Sequence, residues 1–183
     1  MNKGLEQRIS LLLAAGTAAL GHPGGVLLDH LLGTRALLVA WGERPALCDA
    51  GLFHSVYGTE HYRPVAIPPE RRAEVATLIG TEAEDLAWLF GVLDRESFDR
   101  NVGQAVGLRV RDRLTGQWLP LTPDQFRDLV TLSFANTLEA MPQLSWRLRW
   151  VCRAYLTSLR AVAPPAAQRA LDDTSGRWWE VWR

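Results

Sequence analysis

Cysteine is scarce in this chain. The 183 residues include two, Cys48 and Cys152. That is too few for a disulfide framework, which excludes the small stapled scaffolds of secreted proteins and fits a reducing compartment. An excess of one charge is missing as well: 20 basic and 20 acidic residues leave a formal net charge of zero. Nucleic-acid binders draw on a basic surplus, and none exists here. No apolar run approaches the roughly 20 residues that span a bilayer. The start, MNKGLEQRISLLLAAGTAALG, places Glu6, Gln7 and Arg8 just ahead of a short apolar stretch. It reads as an amphipathic helix rather than a signal peptide. The expectation is a soluble, cytoplasmic protein with no nucleic-acid and no membrane partner. Repeats and low-complexity segments are absent too. What the chain does have is 48% apolar residues, enough for the core of a single domain over 1–183.

Apolar positions recur at i, i+3, i+4 and i+7, the helical period. The pattern predicts helices over 5–19, 25–41 and 45–56, the second stopped by Gly42. Residues 57–68 contain Gly58, Pro64 and Pro68 and read as loop. A fourth helix opens at Pro68-Pro69 and closes at Gly80. A fifth runs from 81 to 93, opened by the capping box TEAE, in which Thr81 caps and Glu84 reaches back. LRVRDRLTGQWLPL then alternates apolar and polar residues around Thr115-Gly116, a β-hairpin signal. Thr122-Pro123 starts a long helix that ends before Pro142. Another covers 144–161, and a short one follows Pro164-Pro165. The fold class expected is all-α, with one small β-hairpin inserted between the fifth and sixth helices. Residues 20–141 form its core, and the C-terminal helices and the tail RWWEVWR make up 144–183. Trp178, Trp179 and Trp182 in that tail are expected to dock on the body or on a second subunit, the latter giving a homodimer. Arg147, Arg149, Arg153 and Arg160, interleaved with aromatics, read as a solvated, salt-bridged helix face.

Histidine is rare and unevenly placed. All four, His22, His30, His54 and His61, fall in the first third of the chain. Two antiparallel helices joined by a short turn can bring His30 and His54 face to face. The stretches that carry them are DHLLGTRALLVAWG and AGLFHSVYGTE. These resemble the HD-domain superfamily, in particular the hydrolase domain of the RelA/SpoT enzymes that degrade guanosine tetraphosphate. RRAEVATLIGTEAEDL and LSFANTLEAM extend the resemblance, which spans about residues 20–141. The chain is also similar to an uncharacterised group of small proteins with HLLGT and AGLFHSVYGT segments. The HD resemblance implies a helical bundle in which two imidazoles and two carboxylates hold a divalent ion. Such an ion lowers the pKa of water and orients a phosphate. By that resemblance His30 and His54 are metal ligands, and Asn136 stands where the family has a ligating Asp. The chain departs from the pattern at three places. Ser55 replaces the motif Asp, Asn136 replaces the later Asp, and Gly58-Thr59 replaces a Glu-Asp pair that helps activate water. Two negative charges are lost, which argues against the usual guanosine-tetraphosphate hydrolysis and against a two-metal site.

Three readings stay open from the residues themselves. One divalent ion, Fe, Mn or Zn, could be held by His30 and His54, with His22, His61 or Asn136 completing the shell. A metal-free pocket could bind a small polar ligand through His54, Ser55, Tyr57, Thr59 and Asn136. The histidines could also be hydrogen-bonded core residues. Glu139 lies three residues after Asn136 on the same helix face and could supply a carboxylate as ligand or base. Tyr57 could close the pocket or donate a proton. Asp29 either orients an imidazole or is solvated. The leading expectation is a metal-dependent enzyme acting on a small-molecule substrate by hydrolysis or oxygenation, the latter as in the inositol-oxygenase branch of the superfamily. Ser55, Tyr57, Thr59 and Glu139 would be its catalytic residues. The rival is a non-catalytic HD-like protein that binds a ligand or a partner.

Overall fold

A computed structural model describes residues 3–23 and 25–176. Trp178, Trp179 and Trp182 lie outside the described residues. The elements begin with helix α1 (Lys3–Ala14) and a two-residue antiparallel pair, β1 (Gly21–His22) and β2 (Gly25–Val26), followed by α2 (Leu27–Ala40) and α3 (Pro45–Phe53). A turn of 3-10 helix (Pro69–Arg71) then leads into α4 (Arg72–Ile79) and α5 (Thr81–Val92). Next come α6 (Arg95–Asp99) and the hairpin β3 (Arg109–Arg111) and β4 (Trp118–Pro120). The chain continues through α7 (Pro123–Ala140), a 3-10 turn (Met141–Gln143), α8 (Trp146–Leu159) and α9 (Pro165–Gly176). The class is all-α with a small β insertion, as the periodicity predicts. Among the described residues, no helix is long and apolar enough to cross a membrane.

Several boundaries differ from the expected ones for local reasons. α1 stops at Ala14 instead of 19, because Gly16 takes a left-handed conformation (φ +77°). The Thr17 amide then donates back to the Leu12 carbonyl, a helix-ending bond that Gly16 makes accessible. α2 starts at Leu27 because Gly21–His22 and Gly25–Val26 pair antiparallel as β1 and β2 just before it. α6 was not expected. Its cap is Asp94, whose carboxylate accepts from the Ser97 amide at 2.9 Å. The TEAE box does not form: Gly80 is the N-cap of α5, and no side chain caps it. Glu84 is instead buried and held by both arms of Arg72 at 2.7 Å. A bidentate, charge-assisted pair outweighs a cap to a neutral amide. The Thr122 box does form, with Gln125 as its partner and Pro123 in the first turn.

Two apolar clusters hold the elements together. α7 lies in the larger one, where Leu129, Leu132 and Phe134 meet Leu38, Leu47 and Phe90. The smaller gathers Leu12, Leu27, Leu31, Phe53, Val75 and Ile79. α2 packs against both α3 and α7, and α3 packs against α5. Gly51 sets the α2–α3 separation: a Cβ there would stand 2.4 Å from Leu38 Cδ1. α8 and α9 are tied by Arg160 to Asp172 and by Arg153 to the Leu171 carbonyl. The arginine face is thus partly salt-bridged and partly bonded to carbonyls, since Arg149 serves those of Pro142 and Leu144.

Candidate metal centre

α2, α3 and α7 each bring one polar group to a shared point. α2 carries His30, which is buried, and α3 ends in His54, which is fully buried. α7 carries Asn136, which is partly exposed. His30 Nε2 lies 3.2 Å from His54 Nε2, and each is 2.9 Å from Asn136 Oδ1. The three atoms form a nearly equilateral triangle.

The outer nitrogens of both rings are spoken for. His54 Nδ1 is 2.7 Å from the Gly51 carbonyl, which can only accept, so the proton sits on Nδ1. Burial, then the neighbouring His30, push the His54 pKa down to about 3, so the ring is neutral at pH 7 and its Nε2 is a bare lone pair. His30 Nδ1 donates to the Glu139 carboxylate, which orients that ring in the same sense. Phe90 closes the far side of His54 edge to face, at 5.2 Å. Arg95 stacks on that same Phe90, 4.4 Å from its ring centre.

Glu139 reaches His30 because residue 33 is glycine. A Cβ at Gly33 would lie 2.7 Å from Glu139 Cγ and 2.9 Å from its Oε1. Composition does not reveal this role. The available signal is a lone glycine inside the strongly helical HLLGT stretch, one turn after His30.

The other expected site residues go elsewhere or do something different. His22 does fold back over His30, stacked at 3.9 Å with an interplanar angle of 14°. Burial and His30 lower its pKa to about 4. No hydrogen bond joins it to the triangle, so it covers His30 as a lid. His61 is exposed, in the loop that follows. Ser55 is buried beside His54 but is not bonded to the triangle. Tyr57 packs edge to face on Trp88, and burial raises its pKa. Thr59 accepts from the Tyr62 amide and closes a loop turn. Asp29 is exposed, as the solvated reading requires.

The donor set can be compared with what an ion needs. Ligands about 2.0–2.1 Å from a common ion stand roughly 2.8–3.4 Å apart across octahedral and tetrahedral arrangements. Edges of 2.9–3.2 Å fit that range. Among the described residues, no group of three or more His, Cys, Asp or Glu side chains is arranged to hold a metal ion. The third donor here is the amide oxygen of Asn136.

Over residues 11–95 the chain is similar to a family described as a domain of unknown function (DUF6817). That span takes in His22, His30 and His54 and leaves out Asn136 and Glu139. No curated protein and no solved structure matches the chain.

Proposed function

We propose that His30, His54 and Asn136 hold one divalent cation, Fe, Mn or Zn, and that the protein is a metal-dependent enzyme of degenerate HD type acting on a small polar molecule. The observation that carries this reading is the meeting of two imidazole nitrogens and an amide oxygen within about 3 Å of one another, with His54 Nε2 left bare by the bond from its Nδ1 to Gly51. Acceptors packed at about 3 Å repel one another unless a positive centre lies between them. The HD-like spacing of His30 and His54 supports the same ligand pair. Bound there, a divalent ion would supply Lewis acidity for hydrolysis or, if redox-active, for oxygenation.

The chain's own groups have separable tasks. Glu139 holds the His30 proton on Nδ1 and keeps Nε2 free to bind. The Gly51 carbonyl does the same for His54. Stacked His22 and the wall of Phe90 exclude water from two sides. Glu139, with 19% of its side chain exposed, is the polar group that a solvent-borne substrate meets. Unpaired Cys48 and Cys152 support a cytoplasmic location.

A second reading has one observation in its favour. A cleft of the described residues lies elsewhere, between α6 and the β3–β4 hairpin, and is lined by none of the histidines. It favours a non-catalytic HD-like ligand-binding protein. Elemental mass spectrometry on tag-free protein separates the two. We expect near-stoichiometric metal in the wild type, loss of it in His54→Ala, and tighter retention in Asn136→Asp, which restores a carboxylate. Folded wild-type protein that takes up no metal after supplementation would overturn the metalloenzyme reading.

A further inference from the structure

We propose that the cleft between α6 and the β3–β4 hairpin is a second binding site, independent of the histidine cluster, for a flat aromatic ring bearing one anionic group. The cleft has a volume of about 720 Å³, within the roughly 300–1,000 Å³ of small-molecule sites. No Asp or Glu lines it, whereas two arginines, Arg100 and Arg109, do. Arg100 is already paired with Glu96. No carboxylate pairs with Arg109 among the described residues, so its charge remains available. Its guanidinium instead stacks on the Trp118 ring at 4.6 Å. Trp118 is half exposed and forms part of the lining. A planar ligand can lie against indole while its anion meets the guanidinium, a bidentate partner for carboxylate or phosphate.

The frame around this pair is rigid. Asn101 is buried, and its amide nitrogen donates to the carbonyls of Ser97, Phe98 and Arg109. Its side-chain oxygen accepts from the Arg109 amide at 3.0 Å. One side chain thereby fastens the start of β3 to α6. Ser97 adds a second fastening, accepting from the Arg111 amide at 2.9 Å. Both residues are spent on holding the cleft in shape, which leaves Arg109 and Trp118 to do the recognition. Leu108 is buried below them, and Val106 stands almost fully exposed at the rim, so apolar area is on offer beside the charge.

The test is isothermal titration of the full chain after chelator treatment, so that the histidine cluster supplies no metal to bind an anion. The probes are 1-naphthoate and 1-naphthyl phosphate, which carry ring and charge. Controls are 1-naphthamide, which has the ring alone, and acetate and inorganic phosphate, which have the charge alone. The expected result is saturable binding of at least one ring anion, with each control weaker by about tenfold or more. Whichever ring anion binds more tightly identifies the anion as carboxylate or phosphate. Arg109→Gln and Trp118→Leu, each with an unchanged melting temperature, are expected to lose about tenfold or more. If neither ring anion saturates in the millimolar range, or if a folded Arg109→Gln binds both as the wild type does, the proposal is overturned.

Discussion

Replacing Gly33 with alanine should separate the stability of the fold from the integrity of the candidate site. The new Cβ would lie 2.7 Å from Glu139 Cγ, 2.9 Å from its Oε1 and 3.1 Å from its Cδ. Carbon–carbon contact is comfortable near 3.5–4.0 Å, so the Glu139 side chain must retreat by about 1 Å. A retreat of that size carries the carboxylate out to the long, weak limit of its hydrogen bond to His30 Nδ1. The carboxylate is partly exposed and can swing into water, so the backbone need not move. Position 33 is interior to α2, where Gly→Ala gains about 0.5–1 kcal/mol of helix stability. The variant should therefore melt at the wild-type temperature or slightly above. His30, however, loses the partner that holds its ring and tautomer, a loss that typically costs 10–100-fold in metal affinity, or about 1.4–2.7 kcal/mol. Thermal melts and chelator-competition titration with Zn²⁺ measure the two quantities independently. Unchanged metal affinity in Gly33→Ala would refute the assignment of Glu139 to orienting His30. A large fall in melting temperature would refute the claim that Glu139 alone gives way.

Two further outcomes follow from burial in the same region. His54 and His22 have folded pKa values of about 3 and about 4 against about 6.5 unfolded. Below pH 6.5 the unfolded chain binds protons that the folded chain refuses, so their contribution is complete above pH 6.5 and is lost as pH falls toward 4 and then 3. Chelated protein should lose about 2 kcal/mol between pH 7 and pH 5 through His54, and less through partly exposed His22. Urea unfolding at the two pH values measures this, and a flat profile would show that the rings are not held neutral. Gly51→Ala should destabilise, unlike Gly33→Ala, because its Cβ meets fully buried Leu38 at 2.4 Å. Overpacking of about 1–3 kcal/mol exceeds the gain in helix propensity and lowers the melting temperature by several degrees. A melting temperature at or above wild type would mean that α2 and α3 can separate at no cost.

Local elements were readable because their causes are local. The Thr122-Pro123 start of α7, the stop at Gly42 and the hairpin around Thr115-Gly116 depend on a few adjacent residues and appear as expected. The errors arose where a distant partner outbid a local one. Glu84 abandoned its cap for Arg72, twelve residues away in sequence. The end of α1 failed for another reason: Gly16 was available as a stop signal, but the apolar run through Leu20 concealed it.

The site itself was half legible. The spacing between His30 and His54 suggested that two helices face each other, and the rings do meet. The contribution of α7 depends on contacts separated by 82 to 109 residues, which no periodicity encodes. Asn136 and Glu139 entered only through resemblance and helical spacing. The structure gives these two residues different tasks, the amide on the triangle and the carboxylate behind His30. That division bears on why His54 is followed by serine. A carboxylate at position 55 would be buried, beside a ring whose Nε2 already faces Asn136 and whose Nδ1 is committed to Gly51. An unpartnered charge there would cost several kcal/mol, whereas a serine hydroxyl costs far less. Neutral donors with a single carboxylate one imidazole removed suit one cation whose charge is left largely uncompensated. Such a centre would attract an anionic or strongly polar ligand to its remaining positions, and it would have no use for the bridging carboxylate that a pair of ions requires.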